Sequence, residues 1–234
     1  RDHMKEYFPS IPKIKYEGAA SDNPLAYKFY NPEEVIAGKK MKDQLRFSAA
    51  YWHTICAAGS DMFGAATADK TFGNTDPMDL AKAKAYAFFE IIDKLGIEFF
   101  AFHDRDIAPE GATLSESNKN LDVMVDLFES LMKEYDKKLL WGTANMFNNP
   151  RYMHGAGTSC NADVFAYAAA QAKKAIEVSV RLNASGYTFW GGREGYDTLL
   201  NTNMGLEVDN MARFLKLTTE YGRSIGFKGA YYIE

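Results

Sequence analysis

Five short apolar runs punctuate the chain, at residues 44–53, 96–104, 138–145, 187–192 and 226–234, and each finishes in polar or catalytically capable side chains. Between them the hydrophobic positions recur at helical spacing, predicting helices over residues 78–95, 115–135, 162–182 and 206–221. The first is punctuated most clearly. Asp76 suits an N-cap, Pro77 suits the first turn, and Gly96 is the stop. The second places Leu121, Met124, Val125, Phe128, Leu131 and Met132 on one face. The third is rich in alanine, and Gly222 reads as the cap of the fourth. Strands alternating with helices should lie parallel in one sheet. With function collected at the C-terminal strand ends, the pattern predicts an α/β fold of the (β/α)8 TIM-barrel kind, with about the first five strands in this chain.

Before the first run, residues 4–43 form a polar lead-in broken by Pro9, Pro12, Pro24 and Pro32, and residues 44–234 read as the first part of the barrel domain. Arg1, Asp2 and His3 before Met4 look like an expression scar. A loop rich in Gly, Ala, Thr and Asp over residues 57–77 is long enough to be functional or interface-forming. The 234 residues are 47% hydrophobic and 14% aromatic, ample for a sizeable core. A net charge of −4 without a basic tract argues against a nucleic-acid partner, and no apolar run is long enough for a membrane span. Cys56 and Cys160 show neither metal spacing nor a disulfide framework, which predicts a reducing, cytoplasmic setting.

Candidate chemistry gathers at the run ends. His103 and Asp106 have the spacing of a carboxylate–imidazole pair, in which the acid fixes the ring tautomer and leaves the other nitrogen for proton traffic. Taken alone, the segment better suits a core histidine beside a solvated acidic turn. Trp52, Trp141 and Trp190 are the only tryptophans, each at or near a strand end, and together would wall a sugar pocket. Glu234 is a carboxylate at a strand end, where neighbouring acids could hold a divalent cation. Residues 191–195, Gly-Gly-Arg-Glu-Gly, resemble a phosphate cradle but lack its glycine spacing, so tight strand-to-helix turning is the better reading.

The segments at 102–106 (FHDRD), 141–147 (WGTANMF) and 189–196 (FWGGREGY) resemble the signatures of xylose isomerase, and the lead-in is similar to that of its longer, class II form. The resemblance covers residues 5–234 and implies the N-terminal half of that family's barrel. It implies that His103 opens the cyclic sugar and that Asp106 orients it. Trp52, Trp141, Phe147 and Trp190 would wall the pocket, and Thr143 would place a hydroxyl near the sugar. Phe63 would enter the pocket of a neighbouring subunit of a homotetramer, and Glu234 would ligate metal. The implied reaction interconverts D-xylose with D-xylulose, and D-glucose with D-fructose, by ring opening and a 1,2-hydride shift assisted by two divalent cations (Mg, Mn or Co). A complementary C-terminal half would supply the remaining metal ligands. Two alternatives stay open: an inactive half-barrel serving assembly with a complementary chain, and another divalent-metal barrel isomerase or epimerase.

Overall fold

The computed structural model describes residues 5–195, 200 and 202–234, so the expected scar, Met4 and Tyr196 lie outside the described residues. The chain packs as two compact units. The first runs up to Ala101 and adds Asp126–Lys138; the second comprises Phe102–Val125 and Leu139–Glu234.

Five strands follow one another in chain order within one sheet: β3 (Ser48–Ala50), β4 (Phe99–His103), β5 (Lys138–Thr143), β6 (Gly186–Phe189) and β7 (Ala230–Ile233). The pairs β3–β4, β5–β6 and β6–β7 are parallel. Helices α2 (Pro77–Lys94), α4 (Leu114–Tyr135), α5 (Ala162–Arg181) and α6 (Met204–Ser224) connect successive strands. A doubly wound sheet reverses its strand order at a switch point, whereas a barrel wall advances without reversal. This sheet advances, as a partial (β/α)8 barrel does.

Local chemistry explains the helix ends. The Asp76 carboxylate accepts the N–H groups of Met78 and Asp79, both at 2.9 Å, and Pro77 sits where no donor is needed. Gly96 ends the run in the left-handed region at φ 69°. Asn161 and Asn203 cap α5 and α6 in the same way as Asp76 caps α2. On α4, Leu121, Met124, Val125, Phe128 and Leu131 are buried as expected, while Met132 is only partly so. The first unit's core is aromatic, with Tyr51, Phe88, Phe89, Phe100 and Phe128 fully buried and in ring contact.

Several expectations need correction. The lead-in is not wholly irregular: β1 (Val35–Ile36) pairs antiparallel with β2 (Lys39–Lys40), and one helical turn follows at α1 (Met41–Gln44). The first run is a strand only over Ser48–Ala50. Tyr51 then turns helical at φ −56° and ψ −43°, and Trp52–Cys56 wind as a π-helical turn. A continuous apolar run does not say where a strand yields to a buried helix. After β4 the chain first makes a helical turn, α3 (Asp104–Ile107), and then enters the loop that holds Pro109 and Gly111. Gly222 does not cap α6. It lies within the helix because a Cβ there would stand 1.9 Å from the Tyr231 hydroxyl, and the stop is Gly226 at φ 90°.

Candidate active site

The second unit brings most of the predicted site residues together. β4 delivers His103 at its end, and the tight turn of α3 folds Asp106 back upon it. Asp106 Oδ2 accepts the His103 backbone N–H at 2.8 Å and lies 2.7 Å from His103 Nδ1. An ionised carboxylate can only accept, so this contact assigns the ring proton to Nδ1 and makes Nε2 the basic nitrogen. The imidazole stands among aromatic edges. Trp141, on β5, lies 5.8 Å away, and Phe147, just beyond β5, lies 5.2 Å away at an interplanar angle of 84°. Trp190, just beyond β6, meets Phe147 at 4.4 Å. A polar pair with a few aromatic walls suits a ligand having both C–H faces and hydroxyls.

The other predicted residues are placed differently. Thr143 is buried, and its hydroxyl donates to the Thr188 carbonyl of the neighbouring strand in a short contact. Glu234 is exposed, and its backbone continues the β6–β7 ladder: its N–H donates to the Phe189 carbonyl at 2.9 Å, and its own carbonyl accepts from Gly191 at 2.8 Å. Among the described residues no group of three or more His, Cys, Asp or Glu side chains is placed to hold a metal ion. One carboxylate does not satisfy a divalent cation, which takes six or more oxygen ligands. These residues alone therefore do not fit one. Trp52 and Phe63 belong to the first unit. Trp52 opens the π-helical turn with its ring 5.5 Å from His53, and Phe63 is 89% exposed at the tip of a tight turn.

Behind the aromatic wall lies a buried polar cluster that periodicity does not reveal. Asp104 Oδ1 accepts from the backbone of Asn145 at 2.7 Å and of Arg105 at 2.8 Å. Asp104 Oδ2 accepts from Gln171 Nε2 at 2.8 Å, with the Arg105 guanidinium 3.6 Å away. Burial pushes the Asp104 carboxyl upward, and Arg105 with the N–H donors opposes that shift without cancelling it. A polar residue on the buried face of α5, as Gln171 is, was the one available signal.

No family model matches the chain. Its sequence is 60% identical to the xylose isomerase of Bacillus cereus over 228 residues, 97% of this chain and 51% of that protein. The xylose isomerase of Thermoanaerobacter pseudethanolicus is 60% identical over 98% of this chain and 52% of its own. That of Thermotoga neapolitana is 59% identical over 99% and 52%. Among solved structures, a D-tagatose 3-epimerase-like protein gives a TM-score of 0.49 at 15% identity, over 80% of this chain and 52% of that one, which adds nothing to the strand order above. The chain spans about half the length of the curated relatives it matches, and over that length it is similar to xylose isomerases.

Proposed function

We propose that the chain carries the ring-opening machinery of an aldose–ketose isomerase interconverting D-xylose and D-xylulose, and D-glucose and D-fructose. The observation that carries this is the 2.7 Å His103–Asp106 contact set against Trp141 and Phe147. Opening a cyclic aldose breaks the bond between C1 and the ring oxygen. The anomeric hydroxyl loses its proton, C1 becomes a carbonyl, and the ring oxygen gains a proton. His103 Nε2 takes the anomeric proton and passes it to the ring oxygen, while Asp106 holds the ring in place and stabilises the transient imidazolium. The aromatic wall keeps water from the opened sugar. Isomerisation then moves a hydride from C2 to C1 while the C2 hydroxyl gives up its proton and O1 gains one. No external reductant is consumed.

In this proposal a complementary C-terminal half completes the barrel, and the assembled enzyme is a homotetramer. Glu234 would give one carboxylate to a pair of divalent cations (Mg, Mn or Co) whose remaining ligands the other half would supply, and such ions would contribute Lewis-acid stabilisation when bound. Cys56 and Cys160, neither of them in a disulfide among the described residues, suit a reducing cytoplasm. Replacing His103 by Asn in the assembled enzyme should cost at least about a hundredfold in kcat/KM on the cyclic sugar. It should cost far less on an aldose too short to cyclise. Equal losses on both substrates would refute the ring-opening role.

A further inference from the structure

We infer that Asp104 and Gln171 are positioning residues that set Phe147 against the His103 ring. The pivot is Asn145, which follows β5 and precedes Phe147 by two residues. Its backbone is gripped on both sides. Asp104 accepts its N–H at 2.7 Å, while Gln171 Nε2 donates to its carbonyl at 3.0 Å and to Asp104 at 2.8 Å. The Tyr152 hydroxyl donates to Gln171 Oε1 at 2.6 Å, which decides which end of the amide faces Asn145. Burial pushes the Tyr152 hydroxyl upward, so it remains a donor. The Asn145 side chain then accepts from the Asn148 N–H at 3.0 Å and the Phe147 N–H at 3.4 Å, turning the chain so that Phe147 meets the imidazole.

Asp104 adjoins His103, so one carboxylate ties the strand end bearing the imidazole to the loop bearing its aromatic neighbour. Asp104, Asn145, Tyr152 and Gln171 are all at most 3% exposed. A slip of either segment would therefore leave buried donors unpaired, with a desolvation cost for each. That cost makes the register unique rather than merely favourable. The inference rests on the proposed function only for its consequence, the shape of the sugar wall.

The test uses enzyme labelled with 13C in its histidine rings, the His103 signal being identified by its loss in His103→Asn. In Gln171→Met the His103 ring resonances should move away from their wild-type positions as Phe147 leaves its edge-on stance. The KM for sugar should rise about tenfold with a smaller change in kcat. Ser179→Ala on the same helix removes another buried hydrogen bond, to the Ala175 carbonyl, and should leave the resonances in place. A folded Gln171→Met protein with unmoved His103 resonances overturns the inference. Should that variant not fold, Tyr152→Phe removes only the hydroxyl that orients the amide, and unmoved resonances there overturn it equally. The resonances are read without sugar. Failure of the isomerase reading would therefore appear as absent turnover in the wild type, separate from this result.

Discussion

The Glu194 carboxylate accepts the backbone N–H groups of Ala156, Gly157 and Thr158, each at 3.0 Å, and the Thr158 hydroxyl donates to it as well. Consecutive N–H groups converging on one point form an anion-binding concavity, and here the chain fills it with its own side chain. The Gly-rich segment around Glu194 thus holds a loop closed rather than a phosphate. Glu194→Gln keeps the shape but offers one amide oxygen and an NH2 group to a set made entirely of donors. Hydrogen bonds to a charged acceptor are worth about 1.5–3 kcal/mol, so Glu194→Gln should destabilise by about that much and Glu194→Ala by more. Urea denaturation of the three proteins checks it, and an unchanged midpoint in Glu194→Gln would show the cradle to be dispensable. At this scale the sequence was legible where chemistry is local. The His103–Asp106 contact follows from a three-residue spacing. Gln171 reaches Asp104 from 67 positions away, and no local pattern marks that partnership.

Helices with clear punctuation were read to within a residue, because capping is decided by a few adjacent side chains. α2 is the example, from Asp76 to Gly96. Gly222 misled because a helix stop and a close approach of Tyr231 require the same residue for different reasons. α2 also anchors the lead-in, which its prolines leave without regular structure of its own over most of its length. The N–H groups of Tyr7 and Phe8 donate to the Glu90 carboxylate at 2.7 and 2.9 Å, and Lys94 Nζ bridges Glu6, Glu90 and the Phe8 carbonyl. Burial would raise the Glu90 carboxyl, but Lys94 and the two N–H donors outweigh it and hold it below its ordinary value of 4.5. A group depressed in the folded state stabilises that state above its unfolded value, and the contribution is lost as pH falls through the folded value. Residues 6–8 should therefore loosen from α2 as the solution is acidified below about pH 4.5. Hydrogen exchange at Tyr7 and Phe8 reads this directly. Glu90→Gln should exchange fast there at neutral pH and show no further step on acidification.

For the molecule as a whole, strand order was legible because alternating strand and helix patterns leave few parallel arrangements. The division into two compact units was not, since each unit joins segments distant in sequence. Surfaces that meet other copies are also silent in periodicity, yet Phe63 is distinctive in the structure. Asp61 Oδ1 accepts the N–H groups of Phe63 at 2.8 Å and Gly64 at 3.0 Å, and Asp61 bridges back to Gly64. The turn is thus braced from within while Met62 and Phe63 stand 88% and 89% exposed. Two large apolar side chains held outward on a braced turn lose little further freedom on docking, the situation in which an aromatic becomes an interface anchor. In the proposed homotetramer Phe63 would enter the sugar pocket of a neighbouring subunit. Phe63→Ala should weaken self-association by about 2 kcal/mol, roughly thirtyfold in Kd, and raise the KM for sugar in parallel. Asp61→Ala leaves the aromatic in place but releases the turn, so it should weaken association by a smaller factor in the same sense. Sedimentation velocity across a dilution series measures both. A Phe63→Ala protein with unaltered assembly and sugar affinity would remove Phe63 from the interface, and with it the reason for expecting pockets shared between subunits.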